Sequence, residues 1–142
     1  MYQIPHKRAR MGHPVVMTSA EFRERTLAFA VAVWRACQAA LENPSTRFAA
    51  DQLVRSASSV AANYRAANLG RSRPEFIAKL GIVREEADEA LFWLEFMIRT
   101  ASPGGPRSDL EALHREATEI AAIVSAAYNT SRRRYGKVEN RK

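Results

Sequence analysis

The stretch RPEFIAKLGIVREEADEALFWLEFMIRTA, residues 73–101, decides the fold. Within it Phe76, Leu80, Val83, Ala87, Ala90, Leu94, Met97 and Ala101 keep a strict 4-3 spacing, which places them on one seam of a long α-helix. At 1.5 Å per residue such a helix is about 40 Å long. Ser72 precedes it, and Pro74 falls near the first-turn position, where a missing amide costs nothing. Ile77, Leu91 and Ile98 form a flanking row. Between Leu91 and Ile98 only Glu95 is charged, and Phe92, Trp93 and Phe96 point away from the main seam. A helix apolar nearly all round at one end is buried on more than one side. In a four-helix monomer one of those sides would stay wet, so a subunit interface is expected at Phe92, Trp93 and Phe96.

Working outward, the same logic finds three more helices. Downstream, Ser102-Pro-Gly-Gly-Pro-Arg-Ser108 is the plainest loop in the chain, and Ser108 stands three residues before Glu111, the spacing of a capping box. The helix that follows carries Leu110, Leu113, Ala117, Ile120, Val124 and Ala127 on one seam and is expected to fade near Ser131. Upstream, a helix from Thr46 to Asn68 presents Phe48, Leu53, Ala57, Val60, Ala61, Tyr64 and Ala67, with Ser56, Ser58 and Ser59 among them. Small side chains there let another helix approach closely. Gly70 is placed to end that helix in a left-handed turn. Before it, Thr18 and Glu21 form a second capping-box spacing and open a helix that Asn43-Pro44-Ser45 stops. Phe22, Thr26, Phe29, Val33, Ala36 and Ala40 make its first seam, and Leu27, Ala30, Trp34, Cys37 and Leu41 a second, so two sets of neighbours are expected.

Short connections between long helices predict an all-α, antiparallel up-down-up-down four-helix bundle, with helices at about 18–42, 46–68, 74–101 and 109–131. The flanks, 1–17 and 132–142, have no apolar period and are expected to be basic, mobile segments. At 142 residues and 46% apolar side chains the chain is long enough for one core. One cysteine, Cys37, excludes an internal disulfide and fits a reducing, cytoplasmic setting. No apolar run reaches the roughly 18 to 20 residues of a membrane span, and no export signal leads the chain, so no membrane partner is expected. Met1, Met11 and Met17 all precede the first helix, and the residues do not choose the initiator among them.

The net charge of +7 is unevenly placed. Nine basic side chains against one acid in the two flanks leave +8 there, whereas thirteen basic against fourteen acidic leave −1 in residues 18–131. The segment Ser131-Arg-Arg-Arg-Tyr-Gly-Lys137 therefore dominates, and three readings of it stay open: nucleic-acid contact, an inert solvated end, or contact with an anionic membrane surface. Arg132, Arg133, Arg134 and Lys137 suit phosphates, Tyr135 offers a stacking face, and Arg65, Arg71 and Arg73 extend the basic character to the second helix and the turn after it.

Signals of catalysis are weak. His6, His13 and His114 are scattered, none has a partner at metal-ligand spacing, and neither a phosphate loop nor a nucleophile-base arrangement is present. No catalytic residue, cofactor or metal site is expected. The acids Glu85, Glu86, Asp88 and Glu89 read as a solvated face or as ion-pair partners for the basic second helix. Arg55, Ser59 and Asn63, at i, i+4 and i+8, share one stripe of that helix. Either Arg55 pairs with an acid of the third helix while Ser59 and Asn63 satisfy neighbouring groups, or the stripe is a polar patch for a ligand or RNA phosphates.

Arg55-Ser-Ala-Ser-Ser-Val-Ala-Ala-Asn63, followed by Glu75-Phe-Ile-Ala-Lys-Leu-Gly-Ile-Val83 and Glu85-Glu-Ala-Asp-Glu89, resembles the four-helix bundle proteins of the 23S ribosomal RNA intervening-sequence family, relatives of the accessory variability protein of diversity-generating retroelements. Arg55, Ser59, Val60 and Asn63 match the motif. Many members continue with Ile-Ala-Glu-Gly, where this chain has Tyr64-Arg-Ala-Ala67, so a role tied to that glutamate does not carry over. The resemblance spans residues 20–130 and implies a ring-like homo-oligomer, often a pentamer, without catalysis. For the retroelement relatives it further implies binding to a reverse transcriptase and to RNA or DNA. The leading expectation is an oligomeric scaffold that binds nucleic acid, and the alternative is a purely structural or protein-interaction bundle.

Overall fold

The structure, a computed structural model, describes residues 4–5 and 16–139. The expected mobility of 1–17 falls mostly on residues outside those described, Lys7, Arg8 and Arg10 among them. Two-residue strands β1 (Ile4–Pro5) and β2 (Val16–Met17) pair antiparallel, Ile4 opposite Met17. The other elements are helices: α1 (Ser19–Ala36), α2 (Gln38–Glu42), α3 (Arg47–Ala67), α4 (Arg73–Thr100) and α5 (Arg107–Glu139).

The start of α1 is the expected capping box, with the Glu21 amide donating to Thr18 Oγ1 at 3.1 Å and the Thr18 amide to the Glu21 carboxylate at 2.7 Å. The single helix expected over 18–42 breaks at Cys37. There the Gln38 side-chain amide donates to the Trp34 carbonyl at 2.7 Å, taking the acceptor that the helical ladder assigns to the Gln38 backbone amide. At α4 the Ser72 hydroxyl accepts the Glu75 amide, and Pro74 stands in the first turn.

Three local expectations are corrected. Gly70 does not adopt a left-handed conformation; among the described glycines Gly104 alone does, with φ of 84° in the loop before α5. A Cβ on Gly70 would stand 3.1 Å from the Ala67 carbonyl, a tight contact, so close backbone approach and not a left-handed turn favours glycine there. Ser108 and Glu111 form no capping box: α5 begins two residues earlier than expected, at Arg107 behind Pro106, and Glu111 pairs with Arg107 at 3.1 Å. Finally, α5 does not fade near Ser131 but runs to Glu139, so 132–139 is helix and not a mobile tail. Ser131 is buried, which anchors the last turns, and Arg132, Arg133, Arg134 and Lys137 lie near a helix C-terminus, where cations are favoured.

Helix α3 packs along α4, α4 along α5 and α1 along α3, with a shorter contact between α1 and α5. All four contribute to one core, whose fully buried side chains include Phe22 and Val33 of α1, Leu53 and Val60 of α3, Leu80, Val83 and Leu94 of α4, and Ile120 and Val124 of α5. Ala50, Ala57, Ala87 and Ala90 are buried on α3 and α4, as close helix approach requires. Phe22 and Tyr64 meet edge to face at 4.8 Å. Arg25 of α1 forks onto Glu116 of α5 at 2.6 and 2.8 Å and reaches Glu119 at 2.6 Å; its side chain is 17% exposed, and these hydrogen bonds raise its pKa further. The second seam of α1 is covered only towards its end, where Cys37 is buried and Leu41 packs on the core, whereas Leu27 and Trp34 remain at the surface beside Val31. Among the described residues no helix is long and apolar enough to cross a membrane.

Candidate functional site

The polar stripe of α3 resolves into internal bonds. Arg55 bridges to α4, with its guanidinium on Glu86 at 3.1 Å and also on Glu89. The bond from Glu89 raises the Arg55 pKa, and the same bond holds the Glu89 carboxyl below its usual range. Asn63 donates to both the Ser59 carbonyl and the Ser59 hydroxyl at 2.9 Å, so these two side chains satisfy one another within their own helix. The stripe joins α3 to α4 through Arg55 and presents no unpaired cation.

The convergence of cations lies at the end of the bundle where α1 starts, α3 passes into α4, and α5 runs out. A cleft of about 750 Å³ opens there, lined by Ser19 and Arg23 of α1, the 67–76 junction, and Ser131 and Arg134 of α5. Local geometry explains why Arg71 and Arg73 both reach it. Ser72 between them is extended, with φ −143° and ψ 161°, and side chains two apart on an extended stretch share a side. Arg23 arrives one helical turn after Ser19. The described residues lining the cleft include no carboxylate; Glu75 stands just outside, accepting the Arg71 backbone amide at 2.9 Å. Among the described residues no salt bridge involves Arg23, Arg71 or Arg73.

Buried Tyr64 holds this end together. Its hydroxyl meets the Ser19 side chain, its backbone carbonyl accepts the Asn68 side-chain amide at 2.9 Å, and burial pushes its pKa up; Ser19 and Asn68 both line the cleft. Of the segment where the chain departs from the family motif, Tyr64-Arg-Ala-Ala67, Ala67 lines the cleft.

Three consecutive arginines on a helix cannot act as one clamp, because successive residues turn by roughly 100°. Arg134 faces the cleft, while Arg132 lies 5.7 Å from the ring centre of Tyr128, whose face also carries Arg84 of α4 at 4.3 Å. Arg133 and Lys137 are exposed, as is Arg65 near the end of α3, and none of the three lines the cleft. The hydroxyl of Tyr135 bonds Glu139 one turn on, which raises its pKa. Of the sequence-level candidates the fold therefore brings together Arg71, Arg73 and Arg134. Arg23 was missed, since a lone arginine in an amphipathic helix gives no local signal; only the packing of α1 beside the α3–α4 junction reveals it.

A second surface feature is aromatic. Phe92 and Phe96 are exposed on α4, Phe92 by 56%, whereas Trp93 is half-buried and donates its indole N–H to Glu89 at 3.3 Å. Phe48, expected on the apolar face of α3, is 67% exposed and packs edge to face on Trp93 at 5.3 Å. Phe48, Phe92 and Phe96 thus form a continuous patch with Trp93 beneath it. Elsewhere Cys37 is fully buried, which pushes its thiol up to about 11 and leaves it unreactive near neutral pH. No group of three or more His, Cys, Asp or Glu among the described residues could hold a metal ion.

Comparison with known proteins agrees with this architecture. The chain is similar to a protein of unknown function from the S23 ribosomal protein family of Bacteroides thetaiotaomicron, at 30% identity and a TM-score of 0.71, over 80% of this chain and 99% of that one. No curated protein matches it. The pattern of the 23S rRNA-intervening sequence protein family matches residues 19–126. The chain belongs to the 23S rRNA-intervening sequence protein family.

Proposed function

We propose that this protein is a non-enzymatic scaffold that self-assembles and holds RNA or DNA at its arginine-lined end. The observation that carries the reading is the meeting of Arg23, Arg71 and Arg73 around a cleft whose described lining contains no carboxylate. Like charges converge at a cost unless something anionic joins them, and phosphates bind guanidinium groups in a bidentate fork. Arg133 and Lys137, exposed at the end of α5, add to the positive field around the cleft mouth. Binding of labelled RNA and DNA at low salt, with Arg71→Gln/Arg73→Gln and Arg132→Ala/Arg133→Ala variants side by side, tests this. The first pair is expected to weaken binding more than the second. Absence of binding to every probe at low salt would refute the reading.

The scaffold itself we take as an antiparallel up-down-up-down bundle, which the short α1–α3, α3–α4 and α4–α5 connections favour. Assembly is supported by two different apolar surfaces: Leu27, Val31 and Trp34 on α1, and Phe48, Phe92 and Phe96 on α3 and α4. Helices α1 and α4 each lie between α3 and α5, so Leu27, Val31 and Trp34 sit on the helix diagonal to the one that carries Phe92 and Phe96. Joining unlike patches head to tail closes a ring when the rotation permits, and a pentamer is the number that family resemblance favours. An accessory role beside a reverse transcriptase, in the cytoplasm, completes the proposal; co-purification of the two proteins tests it. A purely structural bundle is the second reading, favoured by the full pairing of Arg55, Ser59 and Asn63.

A further inference from the structure

The cleft at the α3–α4 junction has a second character besides charge. Phe76, half-buried in the first turn of α4, lines it together with the apolar Ala20 and Ala67. Arginines that only track a phosphate backbone need an open basic surface and no aromatic wall. A concave site pairing guanidinium groups with a ring fits a ligand that is anionic at one end and flat and apolar at the other.

We propose that the cleft takes a nucleotide of a single-stranded nucleic acid, its phosphate on Arg71 and Arg73 and its base against Phe76. This rests on the nucleic-acid reading above and narrows it. At about 750 Å³ the cleft is of the size that encloses a small ligand, and a duplex, whose bases are stacked inside, could offer it only backbone. Unpaired bases, in contrast, splay onto aromatic side chains and arginine planes. The α4 N-terminus adds little here, because Pro74 has no amide, the Ser72 hydroxyl accepts the Glu75 amide and the Ser72 carbonyl accepts that of Phe76. Recognition falls instead to side chains: Arg23, Arg71 and Arg73 for charge and Phe76 for the ring.

The probes are fluorescent single-stranded RNA and DNA of about 12 nucleotides and a duplex of the same sequence, followed by anisotropy at fixed low salt. Single strands are expected to bind at least about tenfold more tightly than the duplex, and Phe76→Leu to lower single-strand affinity by at least about fivefold while leaving the duplex unaffected. The RNA and DNA arms distinguish the two sources of the same nucleotide chemistry. Equal affinity for strand and duplex, or a folded Phe76→Leu that binds single strands as the wild type does, overturns the inference while leaving the broader reading standing. Failure of all three probes to bind removes both. Should Phe76→Leu melt the bundle, cross-linking of a 4-thiouridine single strand to the wild-type protein decides: cross-links within residues 67–76 support the assignment, and cross-links confined to other segments overturn it.

Discussion

Salt dependence offers the sharpest test of the arginine-lined cleft. Each phosphate contact to a single strand releases counterions, so log K falls against log salt with a slope of about −0.7 per contact. Arg23, Arg71 and Arg73 line the cleft without a salt bridge among the described residues. If each meets one phosphate, the cleft contributes a slope of about −2.1, which over a fourfold rise in salt costs about 20-fold in affinity. Arg71→Gln/Arg73→Gln would leave about −0.7 from Arg23, or about threefold over the same range. Cations elsewhere steepen both curves equally, so the informative quantity is the slope difference of about 1.4. Fluorescence anisotropy between about 50 and 200 mM salt measures it. Arg47→Gln is the control, for Arg47 pairs with Asp51 at the opposite end of α3. Slopes that agree within about 0.3, or an equal loss in the control, would refute the reasoning.

Other expectations follow from single features. Phe92→Glu/Phe96→Lys places charge on the aromatic patch and should lower the molar mass in light scattering without unfolding; an unchanged mass removes that patch from the assembly. Leu94→Ala opens the centre of the core and should cost about 2–5 kcal/mol in urea unfolding. Arg25→Gln should cost about 1–2 kcal/mol, since Glu116 and Glu119 lose a largely sheltered partner. The Cys37 thiol is raised by burial to about 11 from its usual value near 9, so folding favours its neutral form. Stability from this group is therefore complete below pH 9 and is lost as pH rises towards 11, by about 2–3 kcal/mol. Cys37→Ala should lack that part of the alkaline decline, and identical pH profiles would refute the assignment.

The helices were legible because period and punctuation act locally. The seam from Phe76 to Met97 sets the α4 core face whatever packs on it, and Thr18 with Glu21 closes its box within one turn. The end of α5 was not legible, because 132–139 lacks an apolar period and its anchoring by buried Ser131 is a tertiary effect. Phe48 read as core for a related reason: helical spacing assigns a face, but whether anything covers it depends on where α2 and α4 lie. In the cleft, Arg71 and Arg73 were visible as neighbours in sequence, yet Arg23 and Phe76 joined them only through folding. The pairing of Arg55 with the α4 acids followed from opposite charges on adjacent helices.

Tyr64 gives the cleft a thermodynamic property that no single helix has. Because Tyr64 meets Ser19 of α1 through its hydroxyl and holds Asn68 beyond α3 through its carbonyl, and because α4 and α5 supply further walls, the cleft exists only when four helices are in place. The unfolded chain keeps the arginines but not their arrangement. Whatever occupies the cleft therefore stabilises the fold by linkage, by about 2.7 kcal/mol at a ligand concentration 100 times Kd. Occupancy and folding become one equilibrium, so melting temperature itself reports what the bundle carries.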